Sequence, residues 1–401
     1  MEKISGKKLK ILFLASWYPS RVHPQRGIFV QRHAEAVARM CRVAVLFLVS
    51  DPNLKDGRFE TECLDDGNLL TVRIYYNTRK LRVPVVARLY KLVRYWKLHR
   101  AGFRAIRERI GVPDLAHVHV IYPIGWFALW LKWFKRIPYI VSEHSSAYLH
   151  QGKRLQILPR QWLARLVVKN ARHVTTVSRS LMQAMEQKGL AGRYTIIPNV
   201  VDTRNFFYDP PGKRGGKKRM LHVSLLNEEK NVEGILRTVA RLGERRQDFE
   251  LLIVGDGSNR PELEALATKL RIKDQMVFFL GLQESVPLAG LMRESDFLVI
   301  FSHFESLPCV LIEAMASGLP VIATRVGGIP DHLGPDMGLL VEPGDEAGLL
   351  SAMEYMLDYG GEYSGDCIQE YARSHFEFDM VGRQFLEIYK REVQKKAGGA
   401  I

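Results

Sequence analysis

The chain has 401 residues, 47% hydrophobic and 25% charged, with 58 Lys+Arg against 43 Asp+Glu and a net charge of +15. That balance excludes a disordered or collagen-like chain, and the length fits two or three domains, each able to bury its own core. The four cysteines, Cys41, Cys63, Cys309 and Cys367, are scattered with no CxxC pair, which argues against a zinc ribbon or disulfide scaffold and for a reducing cytoplasm.

The opening MEKISGKKLKILFLASW is basic and then apolar. Its apolar part is too short for a secretory leader and no small-residue cleavage site follows, so residues 10–15 are predicted as a first strand. A helix is expected over 30–39 and a second strand over 43–49. The longest uncharged run, 115–131, holds His117, His119, Pro123 and Gly125. It falls short of the roughly 20 apolar residues of a spanning helix, so no transmembrane segment is expected. Within it, 117–121 reads as a strand leading into a Trp-rich helix. Further strands are expected at 138–142 and 174–177, with Ser178 capping a helix over 179–188.

After Pro198 the stretch VVDTRNFFYDPPGKRGGKKR has the Pro, Gly and basic composition of a linker. The alternation then restarts, with strands at 220–224, 250–254, 276–280, 297–301 and 321–324 and helices at 232–242, 261–270 and 310–316. Strands separated by helices imply parallel βαβ units. The expected fold class is therefore α/β, two doubly wound Rossmann-like domains, with the cleft between them as the default ligand site.

Charge divides the chain as sharply as the pattern does. Residues 1–200 hold 35 Lys+Arg and 12 Asp+Glu, a net of +23, whereas 201–401 carry −8. The densest basic stretch, 79–109, has Glu108 as its only acid. On a helix over 84–109, Val85, Leu89, Leu92, Val93 and Trp96 share one face, and Arg88, Lys91, Arg94 and Lys97 spread around the rest. Such a helix packs on its own domain by the apolar stripe, and its basic face suits an anionic membrane surface. Nucleic acid is not an expected partner, because no RRM, KH or helix-turn-helix pattern accompanies the charge.

The segment FESLPCVLIE places Glu305 in a loop after a strand and Glu313 about one turn inside a helix. Loop amides running into a helix N-terminus make an anion site, and carboxylates on either side can hold hydroxyls. Alone, that spacing is weak. The longer segment FESLPCVLIEAMASGLPVIATRVGGIPD, however, is similar to the nucleotide-sugar signature of GT-B glycosyltransferases, specifically the large retaining family 4, or group 1. LKILFLASWYPS, RGIFVQRHAEAVA, SEHSS, VSRSL, IPNVVD, LLIVGDGSNRPELE, FFLG and GLLVEPGD follow the family in order, over nearly the whole chain.

The resemblance implies a role for each matching position. Glu305 would face the donor sugar, and Glu313 would accept hydrogen bonds from the ribose hydroxyls. Ser306 and the amides of Cys309 and Val310 would line the sugar and diphosphate. Lys230, in NEEKN, would neutralise the diphosphate; Gly27, in RGIFV, would let backbone approach the β-phosphate; His144, in SEHSS, would stand beside the transferred sugar. Taken singly, these residues read as a solvated lysine, a turn glycine and a hydrogen-bonded loop histidine. The ordered set favours the functional assignment.

The implied organisation is an acceptor-binding domain at 1–200, a linker at 201–219, a nucleotide-sugar-binding domain at 220–377 and a helix at 378–401 crossing back to the first domain. The implied activity is a retaining, hexosyltransferase-type transfer from a UDP- or GDP-sugar to a saccharide or lipid-linked glycan, in cell-surface polysaccharide or glycolipid synthesis. No cofactor and no metal are expected, since no D-x-D occurs. The implied location is the cytoplasm, peripherally at the inner membrane face. One position departs from the family: Leu225 stands where an arginine usually contacts the diphosphate, which leaves either Lys230 alone or another cation such as Arg325 to do that work. It also motivates a second reading, a catalytically silent member acting as a membrane-surface partner in polysaccharide assembly. A phosphorylase or sugar-nucleotide epimerase reading has no evident signature of its own here, and GDGSNR lacks the third glycine of a dinucleotide fingerprint.

Overall fold

Alternating apolar strands and amphipathic helices build two units, seen in a computed structural model that describes residues 8–78, 84–149, 158–210 and 216–397. Unit 1 takes its described residues from 1–177, 182–197 and 378–401, and unit 2 from 178–181 and 198–377. The basic opening at 1–7, the start of the basic stretch at 79–83 and linker positions 211–215 lie outside the described residues.

Unit 1 is built on β1 (Lys10–Ala15), β2 (Arg42–Ser50), β3 (Phe59–Asp65), β4 (Leu69–Tyr76), β5 (Leu115–His119), β6 (Tyr139–Glu143), β7 (Val174–Thr176) and β8 (Tyr194–Ile196). They line up as β3-β4-β2-β1-β5-β6-β7-β8, parallel except for β3, which runs antiparallel along β4 at the edge. Residues 11–15 and 43–47 are buried throughout, the continuous apolar run of a parallel strand covered on both faces. The β3–β4 hairpin is absent from the sequence expectation, because FETECLD carries a charge at three of its seven positions and shows no continuous apolar run. Asp65 ends β3 and pairs with Arg42 at 2.8 Å, and the turn after it passes through Gly67 at φ +75°.

The helix Phe378–Ala397 belongs to unit 1. It buries Phe378, Val381, Phe385, Ile388 and Tyr389, and Gly382 lets it come so close to helix Ile28–Ala38 that a side chain there would meet the Ala36 carbonyl oxygen at 2.6 Å.

The basic helix is Pro84–Ile110, and its two halves behave differently. From Trp96 onward it packs as the stripe predicts: Trp96 meets Phe127 and Trp130, and Leu98, Phe103 and Ile106 are buried. The first half does not. Val85, Val86, Leu89, Leu92 and Val93 are exposed, Val85 at 72%, so the stripe expected to pack there faces outward beside Arg88 and Lys91.

Unit 2 is built on β9 (Lys218–Val223), β10 (Phe249–Val254), β11 (Val277–Gly281), β12 (Phe297–Ile300), β13 (Val321–Thr324) and β14 (Gly338–Val341). The order is β11-β10-β9-β12-β13-β14, with every pair parallel. The described part of the expected linker is woven into this unit: the Val201 amide donates to the Phe376 carbonyl, Phe206 is buried, and Lys218–Arg219 already belong to β9. The GDG glycines serve packing. A side chain at Gly255 or Gly257 would meet the carbonyl oxygens of Ser224 or Leu226 at 1.9 and 2.3 Å.

Candidate functional site

In an open parallel sheet, ligands bind beyond the carboxyl ends of the strands where the strand order reverses. In unit 2 that point lies between β9 and β12. The loop after β9 carries Leu225 and Lys230, and the loop after β12 carries Ser302, Glu305 and Ser306. The fold thus brings together residues 75 positions apart: Lys230 Nζ lies 2.6 Å from Glu305 Oε1, and Ser302 Oγ donates to the same oxygen at 2.8 Å. Glu305 is only 7% exposed, so an ion pair with a further hydrogen bond is what lets the carboxylate stay there charged. The expected diphosphate lysine is therefore held by Glu305 in this structure.

The Glu305 loop is pinned from several sides. The His303 amide donates to the Glu229 carbonyl, the Gly328 amide to the Ser306 carbonyl at 2.7 Å, and Asn199 Nδ2 to the Leu307 carbonyl at 2.8 Å. Gly327, at φ +58°, lies so close that a side chain there would meet the Glu305 carbonyl oxygen at 1.7 Å. From this loop the chain enters helix Cys309–Ala316 through Pro308, whose side chain makes no capping hydrogen bond. Cys309 and Val310 occupy that first turn, and Glu313 is buried one turn on. Ser306 is 8% exposed, and its Oγ has no hydrogen-bond partner among the described residues. A buried hydroxyl left so costs about 1–3 kcal/mol unless a ligand completes it.

Leu225 is 64% exposed. Arg325, the alternative cation, is turned to Glu342 at 3.0 Å on the surface.

Unit 1 holds Gly27 and His144. Gly27 caps helix Ile28–Ala38 at φ +78°, and a side chain there would meet the Trp17 backbone at 2.5 Å, so only glycine fits. His144 follows β6, with its ring 4.6 Å from that of Phe29, two residues beyond Gly27. The residue before His144 is Glu143, a buried carboxylate that accepts the amides of Ile121, His144 and Ser145 at 2.9–3.0 Å. Burial pushes its pKa up and the three amides pull it down, with a net rise. It ties the loops after β5 and β6 together.

Beside His144 lie two more buried imidazoles, His119 and His33, and one ring nitrogen of each of the three falls within 4.8 Å of the others. His117 donates or accepts at 2.7 Å with both Tyr389 Oη and Ser142 Oγ, which links helix Phe378–Ala397 to the middle of the sheet. Burial lowers the pKa of His117 and His119 well below the ordinary histidine value, with neighbouring imidazoles adding to the shift.

Sequence reasoning missed Asn199, Ser302, Gly327 and Gly328. Asn199 and the two glycines sit inside IPNVVD and TRVGGIPD, so a signal was present, but no spacing rule says which loop they hold.

A family model described as "Glycosyl transferases group 1" matches residues 204–374, and one described as "Glycosyl transferase 4-like domain" matches 27–200. N-acetyl-alpha-D-glucosaminyl L-malate synthase of Bacillus anthracis is 29% identical over 301 residues, 72% of this chain and 77% of that protein. Sucrose-phosphate synthase of Thermosynechococcus elongatus superposes with a TM-score of 0.77 at 21% identity, over 97% of this chain and 100% of that one. HepE of Anabaena, solved with UDP-glucose, gives a TM-score of 0.66 at 17% identity, over 96% and 100%. With both family matches in sequence order and both parallel sheets in place, the chain belongs to the group 1, family 4 glycosyltransferases and has the GT-B fold.

Proposed function

We propose that the chain is a retaining, metal-independent hexosyltransferase that uses a UDP- or GDP-sugar as donor and a hydroxyl of a saccharide or lipid-linked saccharide as acceptor, in cell-surface polysaccharide or glycolipid synthesis. The observation that carries this reading is the Lys230–Glu305 pair at the sheet's switch point, beside a Ser306 hydroxyl without a partner among the described residues and the start of helix Cys309–Ala316. The helix start and Lys230 supply positive potential where a departing diphosphate gains charge. Glu313 takes the ribose hydroxyls and Glu305 the sugar, while Gly27 and His144 serve the β-phosphate and the sugar from unit 1. In the transfer, the acceptor oxygen bonds to the anomeric carbon as the bond to the phosphate oxygen breaks on the same face. The acceptor proton passes to the departing phosphate. The UDP-glucose complex of HepE supports a uridine donor.

The exposed apolar half of helix Pro84–Ile110, with Arg88 and Lys91, supports an acceptor met at an anionic membrane surface from the cytoplasmic side. Among the described residues no helix is long and apolar enough to cross a membrane.

A thermal-shift panel of UDP, GDP, ADP and their sugar conjugates, with EDTA present, tests the donor site. A ligand at a hundred times its dissociation constant stabilises by about 2.7 kcal/mol. One responder, lost in Glu313→Ala, is the expected result, and no response from any nucleotide would overturn the reading. A silent membrane-surface partner is the second reading, favoured by Leu225 standing exposed in the family arginine's place. Donor binding without turnover on any acceptor would decide for it.

A further inference from the structure

Three imidazoles of unit 1 converge from three separate elements. His33 lies on helix Ile28–Ala38, His119 ends β5 and His144 follows β6; all are buried, His119 completely. One nitrogen from each lies within 4.8 Å of the others. His119 Nδ1 and His144 Nε2 are 3.3 Å apart. That is long for a hydrogen bond between rings, yet it matches the edge of a tetrahedron with metal–nitrogen bonds of about 2.0–2.1 Å. The other nitrogen of that ring, His119 Nε2, has no hydrogen-bond partner among the described residues.

The scaffold is rigid in the way a metal site requires. β5 and β6 are paired neighbours, with His119 opposite Ser142. Glu143 locks the loops that follow both strands through three amides. The His33 ring packs edge-on against Phe385 at 5.1 Å.

We propose that His33, His119 and His144 form a three-histidine site for a divalent transition ion of the zinc class. A donor set of imidazoles alone suits Zn²⁺, Ni²⁺ or Co²⁺ and not Mg²⁺ or Ca²⁺, which demand oxygen ligands. Three protein ligands leave a fourth position for water or a ligand oxygen. An ion held there takes the His144 lone pair, so zinc inhibits sugar transfer. That consequence rests on the proposed role of His144, whereas the binding itself does not.

Titrating metal-free full-length protein with Co²⁺ tests the site without any donor or acceptor. The expected result is one equivalent bound, with the intense visible absorption of four-coordinate cobalt, displaced by Zn²⁺. His119→Gln and His33→Gln should each weaken binding at least tenfold, and His332→Gln, in unit 2, should leave it unchanged. Melting curves without metal establish that each variant folds, and His33→Gln stands in should His119→Gln fail to. No stoichiometric binding by folded wild-type protein, or an unchanged spectrum in folded His33→Gln, overturns the proposal. Should Co²⁺ bind as expected while Zn²⁺ leaves the donor-induced thermal shift intact, the metal site stands and the donor role of His144 falls.

Discussion

The two units share an architecture and differ in what they bury. Unit 1 sets His99, His117, His119 and Glu143 into its interior and presents a basic, partly apolar helix outward. Unit 2 keeps an aliphatic and aromatic core and sets its buried carboxylates, Glu305 and Glu313, in the loop and first helical turns after β12, where Lys230 pairs with Glu305. The same βαβ scaffold thus tolerates polar groups in two ways. Histidines can shed their charge on burial, and carboxylates must find a partner.

Acid should separate the units most strongly. Burial pushes His99 down to about 4 from the ordinary histidine value, and His117 and His119 are lowered in the same sense. The unfolded chain takes these protons below about 6.5 and the folded chain does not, so stability is full above that pH and drains as the pH falls toward 4. His99 alone withdraws about 3 kcal/mol over that window. In unit 2 burial likewise holds His222 at about 4 and lowers His332, fewer groups in all. All six tryptophans lie within residues 17–162, so tryptophan fluorescence follows unit 1 by itself. Its transition at pH 4.5 should precede the loss of total helical signal; coincident transitions would erase the contrast.

Lys230→Met tests the other strategy. It strands Glu305, and breaking a buried pair from one side costs about 3 kcal/mol even with the lysine partly exposed. The melt should fall in the tryptophan-silent unit, and nucleotide response should vanish with it. Glu305→Gln, which keeps the hydrogen bonds and removes the charge, should cost less stability.

Gly27→Ala forces a side chain into a left-handed backbone position, worth about 1–3 kcal/mol before the clash with Trp17. Here the loss should appear in the fluorescence of unit 1. Unchanged stability would mean that the loop before helix Ile28–Ala38 relaxes freely. Charge reversal at Arg88 and Lys91 should weaken binding to anionic vesicles at low salt by roughly 1 kcal/mol per residue, with neutral vesicles as control. Equal binding to both vesicle types would remove the membrane reading. The smallest stability effect, within about 0.5 kcal/mol, belongs to the exposed Leu225→Arg. It should nonetheless tighten nucleoside diphosphate binding, and no gain would show that the family arginine's place is out of reach of the ligand.

What the sequence made legible follows from these two interiors. The strands at 10–15 and 321–324 matched to the residue because buried parallel strands are continuous apolar runs with sharp ends. The Glu305 loop announced itself through a motif whose residues are contiguous. The β3–β4 hairpin did not, since an edge strand with one solvated face carries charge where a core strand carries valine. The histidine cluster was equally hidden. His33, His119 and His144 are far apart in the chain, and only the parallel order β1-β5-β6 makes neighbours of them. The first half of helix Pro84–Ile110 shows the remaining limit: periodicity identifies an apolar face and is silent on whether anything covers it.

The placement of helix Phe378–Ala397 has a consequence for the order of synthesis. The sheet of unit 1 is complete once residue 197 has emerged, but the helix that covers Ala36 and reaches His117 through Tyr389 is made last, after the whole of unit 2. At ordinary translation rates the gap is on the order of 10–40 s. For that interval the nascent first domain carries an open apolar trough that its own chain cannot yet fill, while the second domain can finish folding unaided. Emergence of this helix, more than that of the sheet, is the event that completes unit 1.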